Sequence, residues 1–531
     1  MIDVLKSHTP RKTMAMTLAL ATALGPTSIP ALAAGKTTHA ADPATATPIQ
    51  HLVVIFQENV SFDHYFGSYP VATNPSGEPA FFAVRGTPTV NGFTNALLNF
   101  NPNLNPANGT AASNPFRLDR SQAVTPDQDH NYGAEQLAFD AGLMDRFPAD
   151  TSSGGNIVMG YFDGNTVTAL WNYVQFFAMS DNSFGTTFGP STPGLMNLVA
   201  GQTNGVAATL NGTGNEVSDG NGGLTVIGDP DPIGDVCSNP TRNQVSMSGQ
   251  NIGNLLSAAG VTWGGFMGGF NLNTVNPNGT TSCSRSSASL AGTTADYIPH
   301  HSFFNYWPST ANPTHARPAS LAEIGSAGPA NHQYDLQYFF AAAVAGNLPA
   351  VSFLKAAAYQ DGHAGYSDPL DEQTFLVNTI NFLEKLPTWN STAVVVMYDD
   401  SDGWYDHQMG PIVNTSSGPA DALTGPGACG NGAMVLPGVS APTAMGRCGY
   451  GPRLPLLVIS PWARRNFVDH TVTDQSSIIH FIEDNWLGGT RIGQGSFDAM
   501  ASSITQMFDF SHRREEGKLF LDPSTGTRLG D

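Results

Sequence analysis

The stretch STAVVVMYDDSDGWYDH (residues 391–407) passes from an unbroken apolar run into four aspartates, Asp399, Asp400, Asp402 and Asp406. Val394, Val395, Val396 and Met397 show no polar–apolar alternation, so they read as a strand buried on both faces. Such strands lie in the middle of parallel sheets, and ligands of open α/β sheets bind beyond the carboxyl ends of the strands. Acids gathered at that end repel one another unless a positive charge stands among them or water solvates them as an ordinary turn.

Working outward, other short apolar runs fit the same pattern: HLVVIFQEN (51–59), VQFFAMSDN (174–182), VTWGGFMGG (261–269), AVSFLKAAA (350–358) and PLLVISPW (455–462). NHQYDLQYFFAAAVAGN (331–347), DEQTFLVNTINFLEKL (371–386) and QSSIIHFIEDNWLGG (475–489) carry apolar residues at helical spacing. Buried strands alternating with helices predict an α/β fold with a mostly parallel sheet covered on both faces. Three stretches rich in Gly, Asn, Pro, Ser and Thr, near 84–128, 203–250 and 408–450, read as long surface insertions in a single domain spanning 50–531.

The N-terminus reads as a processing segment. MIDVLKSHTPRK is a basic start, TMAMTLALATALG an apolar core too short to anchor in a bilayer, and ALA (31–33) a small-residue cleavage site. This predicts a signal peptide over 1–33, a flexible segment over 34–49, and a periplasmic or secreted product with no transmembrane anchor. The formal net charge of −20 argues against nucleic acid as a partner, because that needs a basic footprint. A local anion site is compatible with it, since metal ions and helix starts bind phosphate inside acidic proteins. Four cysteines fit two disulfides in an exported chain. Pairing Cys237 with Cys283 and Cys429 with Cys448 would staple one Gly-rich insertion each, contributing roughly 3–4 kcal/mol per bridge by loop closure.

The strand ends carry the chemistry. The 51–56 run ends in Gln57-Glu58-Asn59, and 393–398 ends in Asp399-Asp400. Glu58, Asn59, Asp399 and Asp400 offer only oxygen ligands, the set a hard cation prefers. GPSTPGLMNLVAG places Ser191 or Thr192 where a helix begins. A serine there is often no more than an N-cap, but helix-start N–H groups also hold a phosphate while a hydroxyl attacks it. His130, His300, His301 and His363 lie among polar and aromatic residues near turns, where a lone histidine is most often a surface or satisfied core group. The adjacent pair His300-His301 could also donate to phosphate oxygens or protonate a leaving group. G-x-S-x-G, H-E-x-x-H and Walker A patterns are absent, which weakens serine-hydrolase, zinc-protease and NTPase readings.

HLVVIFQENVSFDHYFGSYP, FGPSTPG, IPHHSF, YQDGHAGYSDP, YDDSDGWYDH and GYGPRLPLLVISPWA resemble, in order, the motifs of the bacterial phosphoesterase family of phospholipases C and acid phosphatases. The resemblance is nearest to the acid phosphatase A branch. Phospholipases C of the family carry Asp-Glu-His-Gly-Gly where this chain has Asp399-Asp400-Ser401-Asp402-Gly403. They carry a Thr-x-Pro-Asn-Arg nucleophile motif where Ser191-Thr192-Pro193-Gly194-Leu195 stands. That register puts the nucleophile on Ser191, with Thr192 as the alternative. The resemblance implies an alkaline-phosphatase-like three-layer α/β sandwich with long loop insertions and one divalent metal ion (Ca, Mg, Mn or Zn). Glu58, Asn59, Ser191, Asp399 and Asp400 would surround the metal, and His130, His300, His301 and His363 would line the phosphate pocket. The implied activity is a secreted metal-dependent acid phosphatase acting on small phosphate esters through a phosphoserine. The alternatives are a phospholipase C acting on phospholipid head groups and a non-catalytic exported metal-binding protein. Asp402 and Asp406 are expected to shape the following turn, with His407.

Overall fold

Thr392–Tyr398 forms a fully buried strand, joined in one sheet by seven others of the computed structural model, which describes residues 44–430, 444–515 and 517–530. In chain order the strands are β1 (His51–Gln57), β2 (Ala178–Ser180), β3 (Trp263–Met267), β4 (Gln333–Asp335), β5 (Val351–Lys355), β6 (Thr392–Tyr398), β7 (Leu456–Ile459) and β8 (Phe467–Asp469). Their spatial order is β4-β3-β5-β1-β6-β7-β2-β8. Only β7 runs against the rest: it pairs antiparallel with β6 and β2, whereas β1, β5, β6, β3 and β4 pair in parallel, as do β2 and β8. The expected α/β class with a mostly parallel sheet is the one observed.

The longer helices are α1 (Tyr132–Phe139), α2 (Thr168–Phe176), α3 (Ser191–Ala200), α4 (Ile252–Ala259), α5 (Leu336–Val344), α6 (Pro369–Lys385) and α7 (Ser476–Trp486). One apolar core runs from Ile49 to Leu521 and contains all of β1 from Leu52 to Phe56 and β6 from Ala393 to Tyr398. Each Val or Ile buried in this way contributes roughly 1.5–3 kcal/mol, which is why the central strands tolerate no polar alternation.

Three readings of the sequence need correction. The 174–182 run is half helix: Val174 and Tyr173 continue the buried face of α2, and strand begins only at Ala178. The 331–347 run opens with the edge strand β4, after which Asp335 caps α5 by accepting from the Gln337 N–H (3.1 Å). The stretch 203–250 is not bare loop, since Val206–Leu210, Asp231–Pro232 and Gln244–Met247 form a small sheet and Glu216–Ser218 pairs with Leu224–Val226. Both expected disulfides, Cys237–Cys283 and Cys429–Cys448, are present. The signal-peptide reading (1–33), residues 34–43 and part of the 408–450 insertion lie outside the described residues.

Candidate active site

The parallel register sets Gln57 opposite Tyr398, so Glu58 and Asp399 leave adjacent strands at the same level. Asn59, with φ +59°, turns the chain there, and its N–H donates to Asp399 Oδ1 (2.9 Å). The Asp400 N–H donates to the same oxygen (2.8 Å). Gln475, at the start of α7, donates its side-chain N–H to the Asp399 carbonyl (2.6 Å). The Asp399 carboxylate is therefore fixed by two backbone donors, and its main-chain carbonyl by the Gln475 side chain.

Ser191 opens α3 and is buried. Its hydroxyl donates to Glu58 Oε2 (3.0 Å) and lies 3.4 Å from Asp400 Oδ2. The Thr192 hydroxyl is turned elsewhere, to the His300 carbonyl (3.3 Å) and the Tyr306 hydroxyl. The Thr192 N–H is not free for an anion, as the sequence suggested, because it donates to Asp229 Oδ1 (2.8 Å). Gly194 lets α3 press onto the strand end: a Cβ there would lie 2.4 Å from the Asp399 carbonyl oxygen.

All four predicted histidines line one cavity of about 660 Å³, together with Asp127, Pro190, Asp229, Arg242 and Tyr366. Asp229 and Arg242 come from the 203–250 insertion, so that segment walls the cavity. His301 Nδ1 lies 3.2 Å from Glu58 Oε1 and 3.8 Å from Asp361 Oδ2. His300 stacks edge-on against it and faces Asp231 (3.6 Å). His130 Nδ1 sits 2.9 Å from the Gln128 carbonyl and 3.3 Å from Asp402 Oδ1. Burial opposes a charge on His130, but Asp400 and Asp402 outweigh it and hold its pKa well above the usual range. Burial pushes His301 well down, aided by its neighbour His300, and lowers His363 to about 4.

Several side chains that surround these residues escaped the sequence reading. Lys355, the last residue of β5, is buried and ion-paired with Glu58, and its ammonium is 3.7 Å from Asp399 Oδ2. Burial works against the Asp399 carboxylate, yet Lys355 leads the influences that hold its pKa below the ordinary value. Glu58 and Asp400 move the other way, raised by burial and then by Asp399. Asp361 is buried beside His301 and likewise raised by burial. Glu135 of α1 joins two site loops, accepting from the Ser401 hydroxyl (2.6 Å) and the Gly189 N–H (3.3 Å). Asp402 does more than shape a turn: it accepts from the Asn59 side chain (3.3 Å) and faces His130. Asp406 is buried against Arg453 (3.1 Å), which also grips Asp63 (2.9 Å), while His407 pairs with Asp63 rather than with the aspartates of its own turn.

Whether these residues suit a metal can be judged from their donors. Glu58, Asp361 and Asp399 are three buried carboxyls around one ammonium, with Asp400 buried next in the chain. Among the described residues no hydrogen-bond donor reaches the buried Asn59 Oδ1, and buried Asp399 Oδ2 faces only the Lys355 ammonium at 3.7 Å. Buried acceptors left without donors are costly unless a cation satisfies them. Asn59 and Asp399 thus offer oxygens that suit a divalent ion, while the ligand atoms of Glu58 lie within 4.8 Å of those of His301 and Asp361.

Fold and site define a mostly parallel α/β protein with a serine–carboxylate centre and a histidine-lined cavity at the carboxyl ends of its strands. The chain belongs to the Phosphoesterase family, whose model matches residues 49–487. It is 25% identical over 484 residues to the non-hemolytic phospholipase C of Burkholderia pseudomallei, covering 88% of this chain and 60% of that protein. It is 24% identical over 500 residues to phospholipase C B of Mycobacterium tuberculosis, covering 90% of this chain and 81% of the relative. Thus the chain spans about 60% of the length of the first of these relatives. Among solved structures it is similar to murine ectonucleotide pyrophosphatase/phosphodiesterase 5, with 13% identity, a TM-score of 0.31, and coverage of 65% of this chain and 95% of that one.

Proposed function

We propose that this chain hydrolyses phosphoric monoesters with Ser191 as nucleophile. The observation that carries the reading is the Ser191 hydroxyl, held at the start of α3 against Glu58 Oε2 and Asp400 Oδ2 beside a cavity lined by four histidines. Thr192, whose hydroxyl faces the His300 carbonyl, is the weaker candidate. The Ser191 oxygen forms a bond to phosphorus as the ester P–O bond breaks, and the serine proton passes to a neighbouring carboxylate. The alcohol leaves with a proton from His301 or His363, and water then attacks the phosphoserine to release phosphate and restore the hydroxyl. A divalent cation (Ca, Mg, Mn or Zn) held by Glu58, Asn59, Ser191, Asp399 and Asp400 would supply positive charge to the transferring phosphoryl group and favour the serine alkoxide.

His130, kept charged by Asp400 and Asp402, and Arg242 on the cavity wall suit the three non-bridging oxygens of a monoester. Because His363 titrates near 4, its acid form grows as pH falls, which supports an acidic optimum. The names of the relatives favour a second reading, cleavage of phosphodiesters in phospholipid head groups. Export to the periplasm or medium is part of the proposal. It is supported by the two disulfides and by the signal-like N-terminus, while no helix among the described residues is long and apolar enough to cross a membrane. Residues 50–531 act as one catalytic domain in this reading, in keeping with the continuous core.

The test compares wild type, Ser191→Ala and Thr192→Ala on p-nitrophenyl phosphate, bis-p-nitrophenyl phosphate and phosphatidylcholine. Ser191→Ala should lose about 10³-fold or more in kcat while remaining folded, as loss of a nucleophile does. Acid quenching of the wild-type reaction should leave phosphate on the peptide carrying Ser191. Near-normal turnover by Ser191→Ala moves the nucleophile to Thr192, and faster cleavage of phosphatidylcholine than of the monoester replaces the first reading with the second.

A further inference from the structure

The two oxygens of Glu58 face different surroundings. Oε2 receives the Ser191 hydroxyl (3.0 Å), on the side where Asp400 Oδ2 stands 3.4 Å from the same hydroxyl. Oε1 meets His301 Nδ1 (3.2 Å) and the Lys355 ammonium. Asp361 Oδ2 closes this second side, 3.8 Å from His301 Nδ1. Ligand atoms of Glu58, His301 and Asp361 lie within 4.8 Å of one another, and all three residues are buried. Two carboxylates and an imidazole at such spacing make a cation position in their own right, with borderline-metal chemistry rather than the all-oxygen chemistry of the first side.

Lys355 is built into this second side from below. It ends β5, the strand beside β1, its ammonium lies 5.4 Å from the Phe56 ring centroid, and that ammonium bridges Glu58 and Asp399. A buried ammonium lying within a carboxylate cluster does electrostatically what a metal ion would do there. It also repels any divalent ion from the adjoining position.

We propose that Lys355 is a resident cation that stands in for a second metal ion, restricting this centre to one divalent ion on the Ser191 side of Glu58. The inference rests on the metal assignment made above for Glu58, Asn59, Ser191, Asp399 and Asp400. It makes Lys355 a positioning residue: it holds Glu58 and Asp399 in place and fixes the metal count, without touching substrate.

Metal content tests this without reference to turnover. The full-length mature protein is equilibrated with Mn²⁺, freed of excess ion, and its manganese counted per chain, with electron paramagnetic resonance reporting whether two ions are coupled. Wild type should bind one equivalent, Lys355→Met two with a spin-coupled signal, and Lys355→Met combined with Asp361→Asn one again. A folded Lys355→Met protein that stays at one equivalent overturns the inference. If Lys355→Met does not fold, Asp361→Asn in the wild-type background decides. Retention of one equivalent supports the inference, and loss of the ion overturns it by placing the resident metal with Glu58, His301 and Asp361. A wild type that binds two ions also overturns it but leaves the Ser191 chemistry standing. Wild type with none and Lys355→Met with one would instead sink the metal assignment above while keeping Lys355 as the stand-in cation, and none in either protein would sink both.

Discussion

Gly194 is where helix packing meets the proposed catalytic serine, so Gly194→Ala separates the two. The new methyl would lie 2.4 Å from the Asp399 carbonyl oxygen, 2.8 Å from its carbon and 2.9 Å from its Cα, all backbone atoms that no rotamer change can move aside. Ordinary contact begins at 3.4 Å, so α3 and the end of β6 must part by about 1 Å. Ser191 rides on α3 and Asp399-Asp400 on β6, so this widening falls directly on the Ser191–Asp400 distance of 3.4 Å. Misplacement of reacting groups by about 1 Å costs roughly 10²-fold in rate. Stability responds far less. Overpacking costs about 1–3 kcal/mol, and alanine in a helix interior recovers about 1 kcal/mol relative to glycine. The net loss of about 0–2 kcal/mol leaves a domain of ordinary stability folded. Turnover of p-nitrophenyl phosphate measured beside guanidinium unfolding gives both numbers. A folded Gly194→Ala variant with kcat within about threefold of wild type would refute the coupling of α3 to the strand end, as would a loss of activity that merely tracks the unfolded fraction.

Two further predictions concern stability. Glu372 of α6 is buried beneath the hydroxyls of Tyr398 (2.6 Å) and Tyr65 (3.1 Å), and burial raises its pKa from 4.5 to about 8. The folded state therefore keeps a proton that the unfolded chain releases, so this group makes stability fall as pH rises from about 4.5 to about 8, by up to about 1.4 kcal/mol per pH unit. Glu372→Gln should flatten that slope in urea unfolding at pH 5.5 and 7.5, and an unchanged slope would contradict the assignment. Arg453 is fully buried among Asp63, Asp406 and the Phe62 ring. Arg453→Met should cost about 3–5 kcal/mol by leaving Asp406 uncompensated and Asp63 with His407 alone. A loss below about 1 kcal/mol in denaturant unfolding would mean the network is replaceable.

The central strands were legible because β1, β5 and β6 are buried on both faces and so carry a continuous apolar signal. The edge strands β4 and β8 were not, being three residues long and flanked by residues that suit a helix or a loop equally well. Glu58, Asn59, Asp399 and Asp400 could be picked out by asking what stands at the strands' carboxyl ends, whereas Ser191 was read from a helix start and the histidines from turns and the family motifs. Lys355 had a signal that went unused: a lone charge inside VSFLKAAA has no water to reach if the strand is central. Asp361 stood in the quoted YQDGHAGYSDP motif but was passed over for its neighbour His363. Glu135 had no signal, because it joins the site through contacts with Gly189 and Ser401 that the linear sequence scatters over more than a hundred residues.

The four aspartates that follow β6 show why local reading falls short. Each is buried, and none is the solvated turn residue that its neighbours in sequence suggest. Asp406 is balanced by Arg453, Asp402 by His130 and Asp399 by Lys355, all from distant parts of the chain. Asp400 has the Ser191 hydroxyl for a partner and, from afar, the charge of His130. The deficit of positive charge is thus concentrated where the serine sits, between Asp400 and Glu58 Oε2. A folded protein tolerates such a deficit where a cation or a proton arrives with function. By this reasoning the compensated aspartates build the scaffold, and the least compensated one stands beside the proposed nucleophile.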